Sequence, residues 1–156
     1  MEAYMVQICE LVEIPATPTL SIRLITRAED LPQLIGQTYE AIMEYMNTQG
    51  EAIAGEPFVI YHNLDMQNLD VELGIPVSHS LPPHGEIQPS SLPAGPAAQT
   101  VYTGPYEAME PVYDELSKFI SDTGHEPTGI AIEYYLTGPE TPPDKHRTRI
   151  VFPLKK

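Results

Sequence analysis

The sequence has 156 residues, of which 42% are hydrophobic, and this is enough for the core of one domain or of two small fused units. It carries 22 acidic against 8 basic residues, and the field of its net charge of −14 disfavours direct binding to nucleic acid. A single cysteine excludes an internal disulfide, and no stretch approaches the ~20 apolar residues of a membrane helix, so we expect a cytoplasmic protein that binds neither DNA nor membrane.

The first half of the chain predicts four strands and one helix. Loose alternation of apolar residues predicts strands over Val6 to Ile14 and Leu20 to Thr26. Apolar residues at helical spacing predict a helix from Leu31 to Gln49. A strand beginning within Gly55 to His62 and a hairpin partner over Leu69 to Pro76 complete a β-α-β-β unit.

The second half repeats this order. Val77 to Pro96 is rich in proline, serine and glycine, and only a short piece around Glu86 to Gln88 suggests order, so it predicts an internal boundary. A strand over Ala97 to Thr103 and a helix over Pro105 to Thr123 follow. The last two predicted strands are Ile130 to Thr137 and Thr148 to Leu154.

Comparison of the sequence with itself supports a duplicated fold. A shift of 74 residues superposes Tyr39 on Tyr113, Gly50 on Gly124, Gly55 on Gly129, Ile60 on Tyr134 and Tyr61 on Tyr135, and with three more residues Pro76 meets Pro153. We therefore predict the α+β class, with tandem β-α-β-β repeats, pseudo-two-fold symmetry, antiparallel sheets and two main helices. The chain is predicted to be a single domain, residues 1–156, with internal repeats at about 6–77 and 86–154.

One acidic residue stands inside an otherwise apolar predicted strand, in the stretch from Thr128 to Pro139. Period-two alternation places Glu133 and Tyr135 on one face and leaves the other face to the core. The duplicate of Glu133 is Val59, so only one half of the repeat carries the acid. A face with an acid and a tyrosine suits a lined cavity. The alternative is a glutamate that simply points to solvent on the outer face of a sheet.

Four motifs together resemble a known superfamily: Gly55-x-Pro-Phe-x-x-Tyr61-His62, the strand from Asp70 to Val77, Gly104-Pro-Tyr106, and Ile132-Glu133-x-Tyr135-Leu136 with Pro139 after it. From about Val6 to Leu154 the chain resembles the gyrase-inhibitor-like small-molecule-binding superfamily, which includes effector-binding domains of AraC-type and MerR-type multidrug regulators. The resemblance implies a ligand cleft near the pseudo-dyad. It also implies that Glu133 faces amphipathic, often cationic, ligands, with Tyr61 and Tyr135 at aromatic positions of the site.

Three departures from the family pattern modify this expectation. No helix-turn-helix segment precedes Val6, so the chain resembles the stand-alone members. Arg149 occupies a position where members commonly carry an acid, and alternation predicts that it shares a strand face with Glu133, where it would pair with the carboxylate and lower the site's preference for cations. The chain has no tryptophan, whereas some stand-alone members that look like hydrolases use one beside the acid, and this weakens the interpretation as an enzyme.

We expect a domain that senses or sequesters a small amphipathic, cationic molecule without a cofactor, and its predicted ligand-binding residues are Glu133, Tyr135, Tyr61, Tyr106 and Arg149. One alternative is a hydrolase that uses Glu133 as general base, with a hydroxyl donated by Tyr135 or Tyr61. Another is an interaction module that masks a protein partner through its acidic surface. No metal site is predicted, because the five histidines are scattered without ligand spacing.

Overall fold

The computed structural model describes residues 8–138 and 140–156. It contains two α-helices, α1 (Leu31–Thr48) and α2 (Glu110–Asp122). The strands are β1 (Cys9–Ile14), β2 (Thr17–Thr26), β3 (Phe58–Tyr61), β4 (Leu69–Pro76), β5 (Gln88–Leu92), β6 (Gly95–Thr103), β7 (Ala131–Tyr135) and β8 (Arg147–Pro153). Val6 of the predicted first strand and Pro139 of the family motif lie outside the described residues.

All eight of these strands form one antiparallel sheet, in the order β1-β6-β8-β7-β3-β4-β2-β5. This order is symmetric about the central pair of β7 and β3, so each half of the chain supplies a β-α-β-β unit. The predicted α+β class with antiparallel strands and two main helices is confirmed. In the central pair Val59 lies directly opposite Glu133. Because these two residues are also superposed by the 74-residue shift, the pseudo-dyad passes between them.

The outermost strands exchange between the halves. β1 pairs with β6 of the second half, and β5 pairs with β2 of the first half. Pro15 separates β1 from β2, and Pro93 separates β5 from β6. A proline cannot donate to a strand ladder, so each position suits a bend at which the chain changes partner. The proline-rich segment 77–96, which predicts an internal boundary, therefore contributes the edge strand β5. The predicted limits of the two repeats, 6–77 and 86–154, stay a prediction.

Both helices cover the same face of the sheet, which we call the helix face. Ile42 and Met46 of α1 are buried against Leu20 and Ile75 of the first half. α2 packs its own apolar stripe on the second half, in a cluster of Ala98, Met109, Val112, Leu116, Ile120, Ala131, Ile150, Phe152 and Leu154. Apolar residues at helical spacing thus bury one stripe of each helix. Among the described residues, neither helix is long and apolar enough to cross a membrane.

The opposite face, the helix-free face, has a core of its own. Phe58, Ile60, Ile132 and Tyr134 of the central strands are buried there. Gly74 of the neighbouring strand makes room for this packing, because a β-carbon at that position would lie 2.6 Å from Cζ of Phe58 and 2.8 Å from the Leu20 carbonyl oxygen. The two faces of β7 therefore lead into two different environments.

Candidate functional site

Glu133 lies at the centre of the helix face. Its strand neighbours are Val59 of β3 and Ile150 of β8, and its side chain is only 6% exposed. The predicted alternation places Ile132 and Tyr134 in the helix-free core, so Glu133 points the other way, towards the helices. The alternative of a solvent-facing glutamate is wrong, because the helices and the flanking strands enclose this carboxylate.

Three tyrosine hydroxyls surround the Glu133 carboxylate, and we call this group the tyrosine cluster. Tyr113 of α2 donates a short hydrogen bond to Oε2. Tyr135 of β7 donates to Oε1 at 3.0 Å, and Tyr61 of β3 donates to the same oxygen at 3.4 Å. The site is thus assembled from both halves of the chain, with Tyr61 packing against the apolar clusters of both helices.

Burial raises the pKa of the Glu133 carboxyl, and the three hydroxyl donors oppose this shift because they stabilise the ionised form. The pKa values of Tyr61, Tyr113 and Tyr135 are also raised, first by burial and then by the nearby Glu133 charge. The tyrosines are therefore neutral donors. In the part of the chain that the structure describes, no basic side chain lies within 4.0 Å of this carboxylate.

More aromatic rings extend the cluster towards solvent. Tyr106, which is 40% exposed, meets Tyr135 edge to face at 5.8 Å between ring centres and stacks on His146 at 4.7 Å. Tyr39 of α1 donates its hydroxyl to the Phe58 carbonyl at 2.6 Å. The two ring nitrogens of His146 are buried without a hydrogen-bond partner among the described residues.

The structure brings Tyr61 and Tyr135 to Glu133 as the sequence predicted, and it places Tyr106 against Tyr135. It also adds residues that were not on the predicted list. Tyr39 and Tyr113 are the main additions, and their signal was present: they are superposed by the 74-residue shift and lie on the buried stripes of the two helices. His146 carried no comparable signal, because it lies in a loop before β8. No group of three or more potential metal ligands occurs within residues 8–138 and 140–156.

The predicted pair between Arg149 and Glu133 is wrong. Arg149 lies opposite Tyr134 in the ladder between β7 and β8, whereas Glu133 lies opposite Ile150. Directly opposite residues share a face of the sheet, so Arg149 belongs to the helix-free face. Its guanidinium carbon is 4.4 Å from the centre of the Tyr134 ring, and its Nη2 is 4.0 Å from Oε2 of Glu56. Alternation along each strand could not supply the register between the two strands.

Comparison with known proteins assigns this architecture. Residues 8–155 match the model of the GyrI-like small molecule binding domain. The chain belongs to this family. Among solved structures, the GyrI-like domain described here is similar to the C-terminal domain of EcmrR, with 27% identity and a TM-score of 0.84 over 97% of this chain and 99% of that one. No curated protein is significantly similar to the sequence.

The chain is also similar to EcmrR in its complex with DNA, with 26% identity and a TM-score of 0.86 over 98% of this chain. The present chain spans 59% of that EcmrR chain. A hydrolase from Listeria innocua shares 14% identity, with a TM-score of 0.69 and coverage of 94% and 91% of the two chains. SAV2435 bound to tetraphenylphosphonium shares 12% identity, with a TM-score of 0.61 and coverage of 97% and 94%. At these last two identities the similarity establishes the fold alone.

Proposed function

We propose that this GyrI-like domain binds a small amphipathic cation on the helix face, with Glu133 as the counter-charge and the surrounding tyrosine rings as the apolar walls. The observation that carries the proposal is a buried carboxylate whose hydrogen-bond partners in the described chain are all neutral hydroxyls. These hydroxyls position the carboxylate but do not neutralise it. A cationic ligand would supply the missing charge.

Folding has already removed most water from Glu133, so the ligand does not have to pay for this desolvation when it binds. A cation over an aromatic face contributes about 0.5 to 2 kcal/mol, and a hydrogen bond to a charged group about 1.5 to 3 kcal/mol. Tyr106 is 40% exposed at the edge of the site, so a ligand can reach part of its ring. The chemistry therefore favours a cation with aromatic or aliphatic substituents over a small hydrated ion.

The comparisons support the same class of ligand. The family is one of small-molecule binding domains, and one structural relative is bound to tetraphenylphosphonium, a lipophilic cation. We propose that the domain senses or sequesters such a compound, alone or as part of a transcription regulator. The predicted protein partner and cytoplasmic location stay predictions.

The test measures the affinity of tetraphenylphosphonium and of its anionic counterpart of similar shape, tetraphenylborate, by calorimetry on the wild type and on Glu133→Gln. The substitution keeps the shape of the side chain and removes its charge. We expect Glu133→Gln to weaken tetraphenylphosphonium about 10-fold or more, since 1.4 kcal/mol is a factor of ten in affinity, and not to weaken tetraphenylborate. Glu72→Gln, the same change at a buried glutamate on the helix-free face, is the matched control and should leave both affinities unchanged.

The affinity of the wild type for the cation should also fall as the pH is lowered through the raised pKa of Glu133, because the carboxyl must lose its proton to act as counter-charge. Glu133→Gln should not show this dependence. Equal weakening of the cation and the anion in Glu133→Gln, or weakening of neither, would contradict the proposal.

A second candidate function is hydrolysis with Glu133 as general base. The raised pKa of its carboxyl favours this role, because a general base works best when its pKa lies near the working pH. The hydroxyl of Tyr135 or Tyr61 would then donate a hydrogen bond to the developing negative charge. Saturable hydrolysis of p-nitrophenyl esters that falls about 100- to 10,000-fold in Glu133→Gln without loss of binding would favour the enzyme.

A further inference from the structure

A pocket lies on the helix-free face, on the other side of the sheet from Glu133. It has a volume of about 370 Å³ and lies between β7, β8, the bend that connects β1 to β2, and the end of β5. Its lining includes Val12 and Ile14 of β1, Leu92 of β5, Val151 and Arg149 of β8, and Tyr134 of β7. The lining is mixed, because these apolar side chains meet the polar or charged residues Glu13, Glu56, Gln99 and Arg149. Apolar walls with a few placed polar groups are the usual form of a site for a small organic molecule.

The basic group of this pocket is Arg149. Its guanidinium stacks over the ring of Tyr134, 4.4 Å from the ring centre. Among the described residues its only carboxylate neighbour is Glu56, at 4.0 Å, which is beyond hydrogen-bond distance. Arg149 is therefore held in place by stacking, and its N–H donors still have room for an acceptor.

The position of Arg149 departs from the internal symmetry of the chain. The 74-residue shift superposes Ile60 of the first half on Tyr134 of the second. Glu72 lies opposite Ile60, and Arg149 lies opposite Tyr134, so Glu72 and Arg149 occupy equivalent positions. One half thus carries a buried acid on the helix-free face where the other carries a base. The second half also has the aromatic ring on which the base stacks, so base and ring form a unit that the first half lacks.

We propose that this pocket is a second ligand site, and that it binds a small amphipathic carboxylate. The guanidinium of Arg149 presents paired N–H donors that match the two oxygens of a carboxylate. The apolar part of the ligand would fill the space between Leu92, Val151 and the side chains of β1. The Arg149 site would select an anion, whereas the proposed Glu133 site would select a cation.

The acidic residues of the lining do not reverse this preference. Glu13 alternates with Val12 and Ile14 on β1, so its side chain lies on the other side of that strand from the apolar lining. Glu56 has a side chain 44% exposed and keeps only a long contact with Arg149. An incoming carboxylate therefore competes with one loosely held, solvated acid and gains the apolar contacts that Glu56 does not make.

The experiment compares three probes with one ring system, 2-naphthoate, 2-naphthylmethanol and 2-naphthylmethylammonium, by calorimetry on the full chain. We expect 2-naphthoate to bind the wild type with one saturable site and with higher affinity than the alcohol. Arg149→Met should weaken 2-naphthoate roughly 10- to 100-fold and leave the alcohol unchanged. Arg147→Met, on the same strand but exposed and outside the lining, is the matched control and should change nothing.

Two further variants keep the test decisive if Arg149→Met folds poorly. Glu56→Gln removes the competing acid and should strengthen 2-naphthoate several-fold. Glu133→Gln should not affect it, because Glu133 lies on the other face, and this separates the proposal from the cation site. Absence of saturable 2-naphthoate binding to the wild type, loss of that binding in Glu133→Gln, or no gain in Glu56→Gln would overturn the proposal. The ammonium probe is compared in Glu133→Gln, where the charge of the cation site is removed, and tighter binding of ammonium than of 2-naphthoate to that variant would also overturn it.

Discussion

The sheet buries two glutamates, one on each face, and they are held in different ways. Glu72 on the helix-free face is 8% exposed and accepts a hydrogen bond from Ser21 at 2.7 Å. Its other oxygen lies 3.1 Å from Nε2 of His62, a side chain that can carry a positive charge. Glu133 on the helix face is 6% exposed and meets only tyrosine hydroxyls in the described chain.

The difference is the reason why we propose Glu133, and not Glu72, as the carboxylate that binds a ligand. Glu72 has both a hydroxyl donor and a possible counter-ion within the protein, so its environment is complete in the absence of a ligand. Glu133 has donors that orient it but no counter-ion, which leaves its charge uncompensated in a region of low dielectric. Burial alone therefore does not distinguish the two glutamates, whereas the lack of a counter-ion supports the proposed role of Glu133 as counter-charge for a ligand.

Removal of a hydroxyl donor from Glu133 is expected to have the largest effect on stability. Tyr113→Phe keeps the ring against Phe152 and removes the short hydrogen bond to the carboxylate. We expect the free energy of unfolding at pH 7 to fall by up to about 3 kcal/mol, because a buried charge loses a donor and no counter-ion compensates. Denaturant unfolding at pH 7 and near pH 4 checks this, and the loss should shrink in acid, where the carboxyl is protonated. A loss of equal size at both pH values would mean that ring packing, not the carboxylate, is responsible.

Removal of the donor to Glu72 should cost less. Ser21→Ala takes away the bond to one oxygen, while His62 still contacts the other. We expect the free energy of unfolding at pH 7 to fall by about 1.5 kcal/mol, the lower part of the range for a hydrogen bond to a charged group. The affinity for tetraphenylphosphonium, measured in parallel, should not change. A cation affinity that fell with Ser21→Ala would break the distinction between the two glutamates.

The smallest expected effect has the opposite sign. Glu133→Gln should raise the free energy of unfolding at pH 7, because burial raises the folded-state pKa of this carboxyl above its usual value of 4.5 and its ionised form is therefore unfavourable in the folded protein. The size of the gain reports how far the folded-state pKa is raised, since one pKa unit corresponds to about 1.4 kcal/mol. Between the usual pKa of 4.5 in the unfolded chain and the raised pKa in the folded protein, the folded wild type binds more protons than the unfolded chain. The gain in stability from Glu133→Gln should therefore be complete above the folded-state pKa and disappear below about pH 4.5. Thermal melts of both proteins from pH 4 to pH 8 measure this, and a destabilised Glu133→Gln at pH 7 would show that the three hydroxyl bonds outweigh the cost of burial.

Much of the candidate site was predictable because its signals are local. The alternation around Glu133 predicted the face that it occupies, and the repeat predicted that Val59 is its symmetry mate. Arg149 was misplaced, because its face depends on how β8 is aligned with β7 and not on the pattern within either strand. Tyr113 was not predicted as a ligand-binding residue, since nothing in the sequence of the helix shows that its hydroxyl reaches Glu133.

The sequence by itself determined the α+β class, the two helices, the antiparallel strands and the resemblance to a family of small-molecule binding domains. These features follow from periodicities and motifs within short stretches, which each segment carries wherever it packs. Only the tertiary structure decided that β1 and β5 exchange between the halves, that Arg149 faces away from Glu133, and that three tyrosines converge on one carboxylate. Those arrangements depend on strand register and on helix docking, which bring together residues far apart in the chain. The sequence pattern around each of these residues does not show which distant residue it will contact.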